Sequence, residues 1–163
     1  MTLYIDFFET PIGLLEIKAT QSHILSVNFI EDQKESSIPN ELTARCILQL
    51  KNYFWGKRKD FDLPLDPNGT DFQKSVWNEL VKIPYGKTTS YLALARKLNN
   101  EKAIRAVGTS NGQNPIGIII PCHRVIGSDG SLTGYAGGLS RKKWLLEHEQ
   151  TVLTGIKQTE LFL

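Results

Sequence analysis

The chain has 163 residues, 40% hydrophobic and 22% charged, with a formal net charge of +2. That length supports a buried core, in one domain or in two small ones. No apolar run approaches the ~18 residues that span a bilayer. Met1–Asp6 lacks the basic and apolar regions of a leader. These features argue against a membrane or secreted protein, and a cytoplasmic location is expected.

Residues 3–8, 14–19 and 24–30 read as three short strands, with turn signals at Pro11-Ile12-Gly13 and Gln21-Ser22-His23. Residues 31–40 are polar and read as a loop. Glu41 to Phe54 carries apolar side chains at three- and four-residue steps and predicts a helix. Cys46 lies on the apolar face of that helix, where a small buried side chain belongs. The segment Leu63–Thr70 is dense in turn formers, and the charge changes there. Residues 1–70 hold 7 Lys/Arg against 10 Asp/Glu, net −3; residues 71–163 hold 12 against 7, net +5. We therefore expect a domain over 1–70 and a second over 71–163. A basic second half suits a polyanionic partner, although a solvated surface has the same composition.

Asp71 is the expected cap of a helix over 72–82, which Pro84-Tyr85-Gly86 ends. Thr89 or Ser90 can cap a helix over Tyr91–Leu98. Asn99-Asn100-Glu101 makes a turn, and Lys102 to about Asn111 reads as another helix. Two short helices joined in this way have the shape of a helix-turn-helix. Arg96, Lys97, Lys102 and Arg105 give the pair a basic face. Asn114-Pro115 breaks the second helix, and the β-branched run 116–120 predicts a buried extended segment. Gly127 to Gly138 holds five glycines in twelve residues, a loop that can approach a ligand closely. Ser140 is the expected cap of a last helix through about Glu149.

The run 116–120 leads into Ile120-Pro121-Cys122-His123-Arg124-Val125. A cysteine attacks as its thiolate, so its pKa of about 8.5 must usually be lowered. His123 and Arg124 stand beside Cys122, but sequence neighbours point apart on strands and helices. Direct contact between Cys122 and His123 is therefore not assured by adjacency, and a water bridging them is an alternative. A carboxylate should orient the histidine, and Glu147, Glu149 and Asp129 are available. Cys46, Cys122, His23, His123 and His148 show neither CxxC nor HxxxH spacing, so no metal site is expected. No cofactor is expected either.

These motifs carry a resemblance. IPCHRVIG is preceded by RAVGTSNGQNP and followed by GYAGG and WLLEHE, and FQKSVWNELVKIPYGKTTSYLALA stands upstream. Together they resemble the O6-alkylguanine-DNA alkyltransferases, strongly over residues 72–149 and weakly over 1–70. The resemblance implies an α+β fold: a small ribonuclease-H-like α/β domain, then a mostly helical winged helix-turn-helix domain that enters the minor groove. It implies a protein that binds double-stranded DNA, flips an alkylated guanine out of the stack and transfers the alkyl group to Cys122 in one turnover; nothing in the sequence calls for an oligomer, so a monomer is expected. O4-alkylthymine is a second possible lesion. Arg105 would fill the vacated stack, and Tyr91, Lys102, Ala103, Thr89 and Ser90 would contact DNA. His123 would take the thiol proton through water, and Glu149 would orient His123. Tyr91 would give its proton to the departing guanine. Pro121 would set the position of Cys122, and Asn114 would tie the helix to the active-site segment. The carbonyls of Cys122 and Val125 would read the exocyclic amine, and the N–H groups of Tyr135 and Ala136 the guanine oxygen. Some family members carry zinc in the first domain; the ligand set is absent from this sequence. Two other classes compete: a lesion-binding protein without transfer, which the presence of Cys122 disfavours, and a cysteine hydrolase, which would turn over. Finally, Gln158, Leu161 and Phe162 resemble the short peptides by which bacterial proteins bind the sliding clamp.

Overall fold

The computed structural model describes residues 1–155. The chain divides into two compact units: Met1–Asn68 with Pro115–Ile119, and Gly69–Asn114 with the chain from Ile120 onward. Among the described residues no helix is long and apolar enough to cross a membrane.

In the first unit, β1 (Tyr4–Thr10), β2 (Gly13–Ala19) and β3 (Ile24–Ile30) form an antiparallel sheet in the order β1-β2-β3. Thr10 pairs with Gly13, so β1 runs further than its apolar residues suggested and Pro11-Ile12 is the hairpin loop. Gly13, at φ 129, takes a backbone angle that side chains disfavour. Leu15, Ile17 and Ala19 alternate onto the buried face of β2. Helix α1 (Glu41–Phe54) packs on β1 and β2 and buries Leu42, Cys46, Leu50 and Tyr53. Asn40 caps it, in a reciprocal box with Thr43. Cys46 is the packing residue expected, and burial pushes its thiol up to about 12.

The run 116–120 is buried but not extended throughout. Only Ile116 bridges to a strand, in parallel with Val27. The Val27 N–H donates to the Pro115 carbonyl and the Gly117 N–H to the Val27 carbonyl, each at 2.9 Å. The chain then folds on itself: the Ile119 N–H donates to the Gly117 carbonyl at 2.8 Å around Ile118, at φ 69. A β-branched residue adopts that angle only under strain. A relaxed turn of the opposite hand follows, in which the Cys122 N–H donates to the Ile120 carbonyl at 2.8 Å around Pro121. Past the one bridge to β3 the chain turns on itself, and the β propensity of the isoleucines is overridden.

The second unit contains α2 (Asp71–Leu80), α3 (Tyr91–Lys97), α4 (Ile104–Gly112) and α5 (Leu139–Thr154). Two-residue strands β4 (Thr89–Ser90) and β5 (Val125–Ile126) pair in parallel. The cap of α2 is Thr70, not Asp71. The Thr70 hydroxyl accepts from the Gln73 N–H at 3.1 Å, and Gln73 Oε1 accepts from the Thr70 N–H at 2.8 Å. Asp71 instead lies in the first turn, where a carboxylate suits the helix dipole. Ser90 caps α3, accepting from the Ala93 N–H at 3.0 Å. The helix expected from Lys102 begins at Ile104, because Glu101–Ala103 forms a 3-10 turn. Asn99, at φ 55, reverses the chain before it. Ser140 does not cap α5. Gly138, at φ 93, already turns the chain into the helix, which starts at Leu139 and runs past Glu149 to Thr154.

Candidate active site

The 3-10 turn Cys122–Arg124 presents three buried side chains: Cys122 is 5% exposed, His123 0% and Arg124 6%. A fourth, Glu149, comes from α5 and is fully buried. His123 Nε2 lies 2.6 Å from Glu149 Oε2. Arg124 grips the same carboxylate, donating from Nε to Oε1 at 2.9 Å and from Nη2 to Oε2 at 3.1 Å. The Gly86 N–H donates to Oε1 at 3.0 Å. Arg124 Nη1 donates to the Ile83 carbonyl at 2.8 Å, and its guanidinium sits over the Tyr85 ring. Of the three carboxylates left open by the sequence, Glu149 meets His123; Glu147 pairs with Lys143, and Asp129 accepts from the Ser131 N–H.

These contacts set the protonation states. Burial pushes the Glu149 carboxyl up, but the hydrogen bond and charge of His123 and the Arg124 guanidinium outweigh it and hold the group well below the usual carboxylate range. Burial lowers the His123 pKa; Glu149 pulls it back up, and the cations Arg124 and Lys142 oppose that pull, leaving a net decrease. The imidazole is therefore neutral at pH 7, with its proton on Nε2 toward the ionised carboxylate. Nδ1 is buried and has no hydrogen-bond partner among the described residues. That leaves a buried basic nitrogen on the residue after the cysteine, with no direct hydrogen bond to the thiol. Burial raises the Cys122 pKa, while the Asn114 side chain and the Lys142 charge work against it. Together these give a thiol with a neutral base at hand.

Asn114 is 5% exposed, and its Nδ2 donates to the Ile120 carbonyl at 2.8 Å. Asn111 Nδ2 reaches the Cys122 carbonyl at 3.3 Å. Pro121 and Val125 are buried on either side of the turn. Tyr91 opens α3, and its hydroxyl donates to the Thr133 carbonyl at 2.9 Å. It lines an open groove of about 610 Å³ with Ile104, Arg105, Gly108, Thr109, Thr133 and Gly134. Arg105 and Lys102 are exposed; Ala103, Thr89, Ser90 and Tyr135 are half-buried, and Ala136 is exposed.

Sequence reasoning missed Lys142 and left Arg124 without a role. Lys142 is fully buried; its Nζ donates to the Thr133 carbonyl at 2.7 Å and to the Tyr91 hydroxyl at 3.4 Å. One signal was available. Lys142, Leu145 and Glu149 recur at helical spacing on the inward face of α5, so a stripe drawn through the apolar residue includes both charges.

Two family models match the chain. One describes the 6-O-methylguanine DNA methyltransferase ribonuclease-like domain and covers residues 3–67; the other describes the DNA-binding domain of the same family and covers 71–151. A methylated-DNA–protein-cysteine methyltransferase of Methanosarcina acetivorans is 46% identical over 153 residues, 90% of this chain and 98% of that protein. The chain belongs to the 6-O-methylguanine DNA methyltransferase family. A methylated-DNA–protein-cysteine methyltransferase of Mycobacterium tuberculosis is 44% identical over 88% of this chain and 90% of its own. The crystal structure of the M. tuberculosis O6-methylguanine methyltransferase superposes with a TM-score of 0.86 at 40% identity, covering 99% of this chain and 100% of that one. A structure of M. tuberculosis OGT in complex with DNA gives 0.83 at 42% identity, covering 90% and 92%. The α+β fold expected from the sequence, a small strand-containing domain followed by a helical one, is thus that of the methyltransferase family.

Proposed function

We propose that this chain repairs DNA by moving the alkyl group of an O6-alkylguanine onto Cys122, once per molecule. The observation that carries the reading is the buried Cys122 thiol beside a neutral His123 held by Glu149, in a chain of this family. A water would pass the thiol proton to His123 Nδ1. The thiolate is a soft nucleophile suited to displacement at carbon, and the thioether it forms is stable. No hydrolytic step returns the cysteine, so neither a second cysteine nor a cofactor is needed.

The remaining roles follow the same reading. Exposed Arg105 on α4 would fill the stack left by the flipped base, and Lys102, Ala103, Thr89 and Ser90 would contact the backbone around it. Tyr91 would donate its proton to the departing guanine. The Cys122 carbonyl accepts from Asn111 Nδ2 at 3.3 Å and from the Val125 N–H, so taking the exocyclic amine would mean sharing or displacing one of those donors. The Val125 carbonyl would take the other amine hydrogen, and the N–H groups of Tyr135 and Ala136 the guanine oxygen. Pro121 and Asn114 would fix the turn. O4-alkylthymine presents a similar alkyl carbon and would be a second substrate. The protein would act as a monomer on double-stranded DNA in the cytoplasm.

The test is an intact mass after incubation with duplex DNA carrying O6-methylguanine. One methylene mass on Cys122, saturating at one per chain and absent from C122A, is expected. An unchanged mass would overturn the transfer, and continued release of product would indicate a hydrolase.

Gln158, Leu161 and Phe162 lie outside the described residues. Their reading as a sliding-clamp peptide rests on the sequence, with two apolar anchors suited to a groove. Full-length protein is expected to capture purified clamp, and a chain lacking residues 158–163 to lose that capture; equal capture by both would end the idea.

A further inference from the structure

The Cys122 carbonyl, one of the two that would read the exocyclic amine, is already engaged. The Val125 N–H closes the 3-10 turn onto it, and Asn111 Nδ2 donates to it at 3.3 Å. A carbonyl oxygen has two lone pairs, and these two donors use both. Asn111 is 1% exposed, on the face of α4 that carries Ile104 and Gly108 along the groove beside Tyr91. It follows Gly108 by three residues and Ile104 by seven, so it stands at the inner end of that face. One side chain thus joins the groove to the cysteine turn.

The other end of its amide is vacant. A carbonyl can only accept, so the amide nitrogen faces Cys122 and the amide oxygen turns away. Asn111 Oδ1 is buried and has no hydrogen-bond partner among the described residues. A buried acceptor without a donor is costly in the free protein, and a bound group that brings a donor recovers the cost. Cys122 is itself only 5% exposed, so a base that reaches its sulfur must part the side chains that cover the turn. We propose that Asn111 Oδ1 accepts one hydrogen of the exocyclic amine of the flipped guanine, in place of the engaged Cys122 carbonyl, and so makes the site selective for alkylated bases that carry that amine. This inference rests on the transfer reading above and extends it to the choice of base.

The chemistry of the lesions sets the sign. Guanine presents the amine as a donor. Hypoxanthine is the same purine without the amine, and it leaves Oδ1 vacant. Thymine presents its O2 oxygen instead, which sets one acceptor against another. Of the three, only the guanine lesion satisfies Oδ1. Asn111 makes and breaks no covalent bond; its part is recognition.

The experiment measures single-turnover methyl transfer to Cys122 of the full chain from duplexes carrying O6-methylguanine, O6-methylhypoxanthine or O4-methylthymine. Iodoacetamide alkylation of Cys122, read from the mass of its peptide, is the reaction that needs no base recognition. The parent chain should prefer O6-methylguanine to O6-methylhypoxanthine by about tenfold or more. N111L keeps the shape of the side chain and removes both polar atoms. It should lose about tenfold on O6-methylguanine and keep its rate on O6-methylhypoxanthine, so the preference falls toward equality. Its rate on O4-methylthymine should not fall. N111A should change the preference in the same way, and both variants should keep the iodoacetamide reactivity of the parent. Equal losses on the two purines would make Asn111 a support of the turn alone, and an unchanged or larger preference would return the amine to the Cys122 carbonyl. Either result overturns the inference. A parent chain with no preference between the two purines overturns it without any variant, which decides the matter if neither variant folds. A parent chain that transfers no methyl group from O6-methylguanine would instead sink the repair reading itself.

Discussion

E149A is expected to slow alkyl transfer by on the order of 10²-fold and to lower unfolding stability by about 3–5 kcal/mol. Both effects have one source. The Glu149 carboxylate accepts from His123, twice from Arg124 and from the Gly86 N–H. Removing it leaves a guanidinium buried without its counter-ion and frees His123 to turn. R124A should raise the Glu149 pKa, because burial then acts against one fewer cation. The R124A/E149A double variant should cost less than the sum of the single ones, since neither charge is left alone. Denaturant unfolding and single-turnover rates measure all three; additive losses would show that the groups do not act as a unit. The pH dependence has a definite sign. The folded Glu149 pKa is depressed, so its stabilisation is complete above the ordinary value of about 4.3 and is lost as pH falls below it. His123 is depressed as well, so the native state resists its protonation and stability declines below about pH 6.5. Acid should therefore destabilise the parent chain more steeply than E149Q below pH ~4.3.

Much of this site was legible before any coordinates. Apolar periodicity placed α1 at its observed ends, because a helix read from its own face and cap depends little on distant parts of the chain. The apolar run before Cys122 pointed correctly to a buried thiol. Its conformation was not legible: four isoleucines of high strand propensity, around one glycine, met a single partner at Val27, and the rest folded into tight turns. Propensity describes the strand a residue would join, not whether one is there. The cap of α2 was missed by one position because both Thr70 and Asp71 can cap, and only the reciprocal bond to Gln73 decides.

Arg124 and Lys142 were obscure for a different reason. A charged residue in sequence is read as solvated, and that is correct for most of them. Arg124 is buried because its partners arrive from the turn at 83–86 and from α5, respectively about forty residues before it and twenty-five after. Lys142 is buried by the same inward face of α5 that carries Leu145 and Glu149. That face carries a cation at one end and a carboxylate at the other: Lys142 against Tyr91 and Thr133, Glu149 against His123 and Arg124.

W77A is expected to destabilise the second unit by about 3–5 kcal/mol, and W77F by about 1–2 kcal/mol. Trp77 is 2% exposed on α2, and its indole N–H donates to the Ser110 carbonyl on α4 at 2.8 Å. The ring fits so closely that a side chain at Gly69 would begin 2.5 Å from it, so no neighbour is poised to fill the space left by alanine. Phenylalanine keeps most of the apolar volume but loses the N–H and leaves a buried carbonyl with one donor fewer. Because α4 carries Arg105, Asn111 and the chain into Asn114, the two variants should differ in function as well as stability. W77F should retain transfer near the parent rate at low temperature, whereas W77A should lose it as the helix shifts. Urea midpoints and transfer rates on the same samples test this. A W77A midpoint equal to that of the parent would mean that α4 is held by its contacts with α3 and not by the indole.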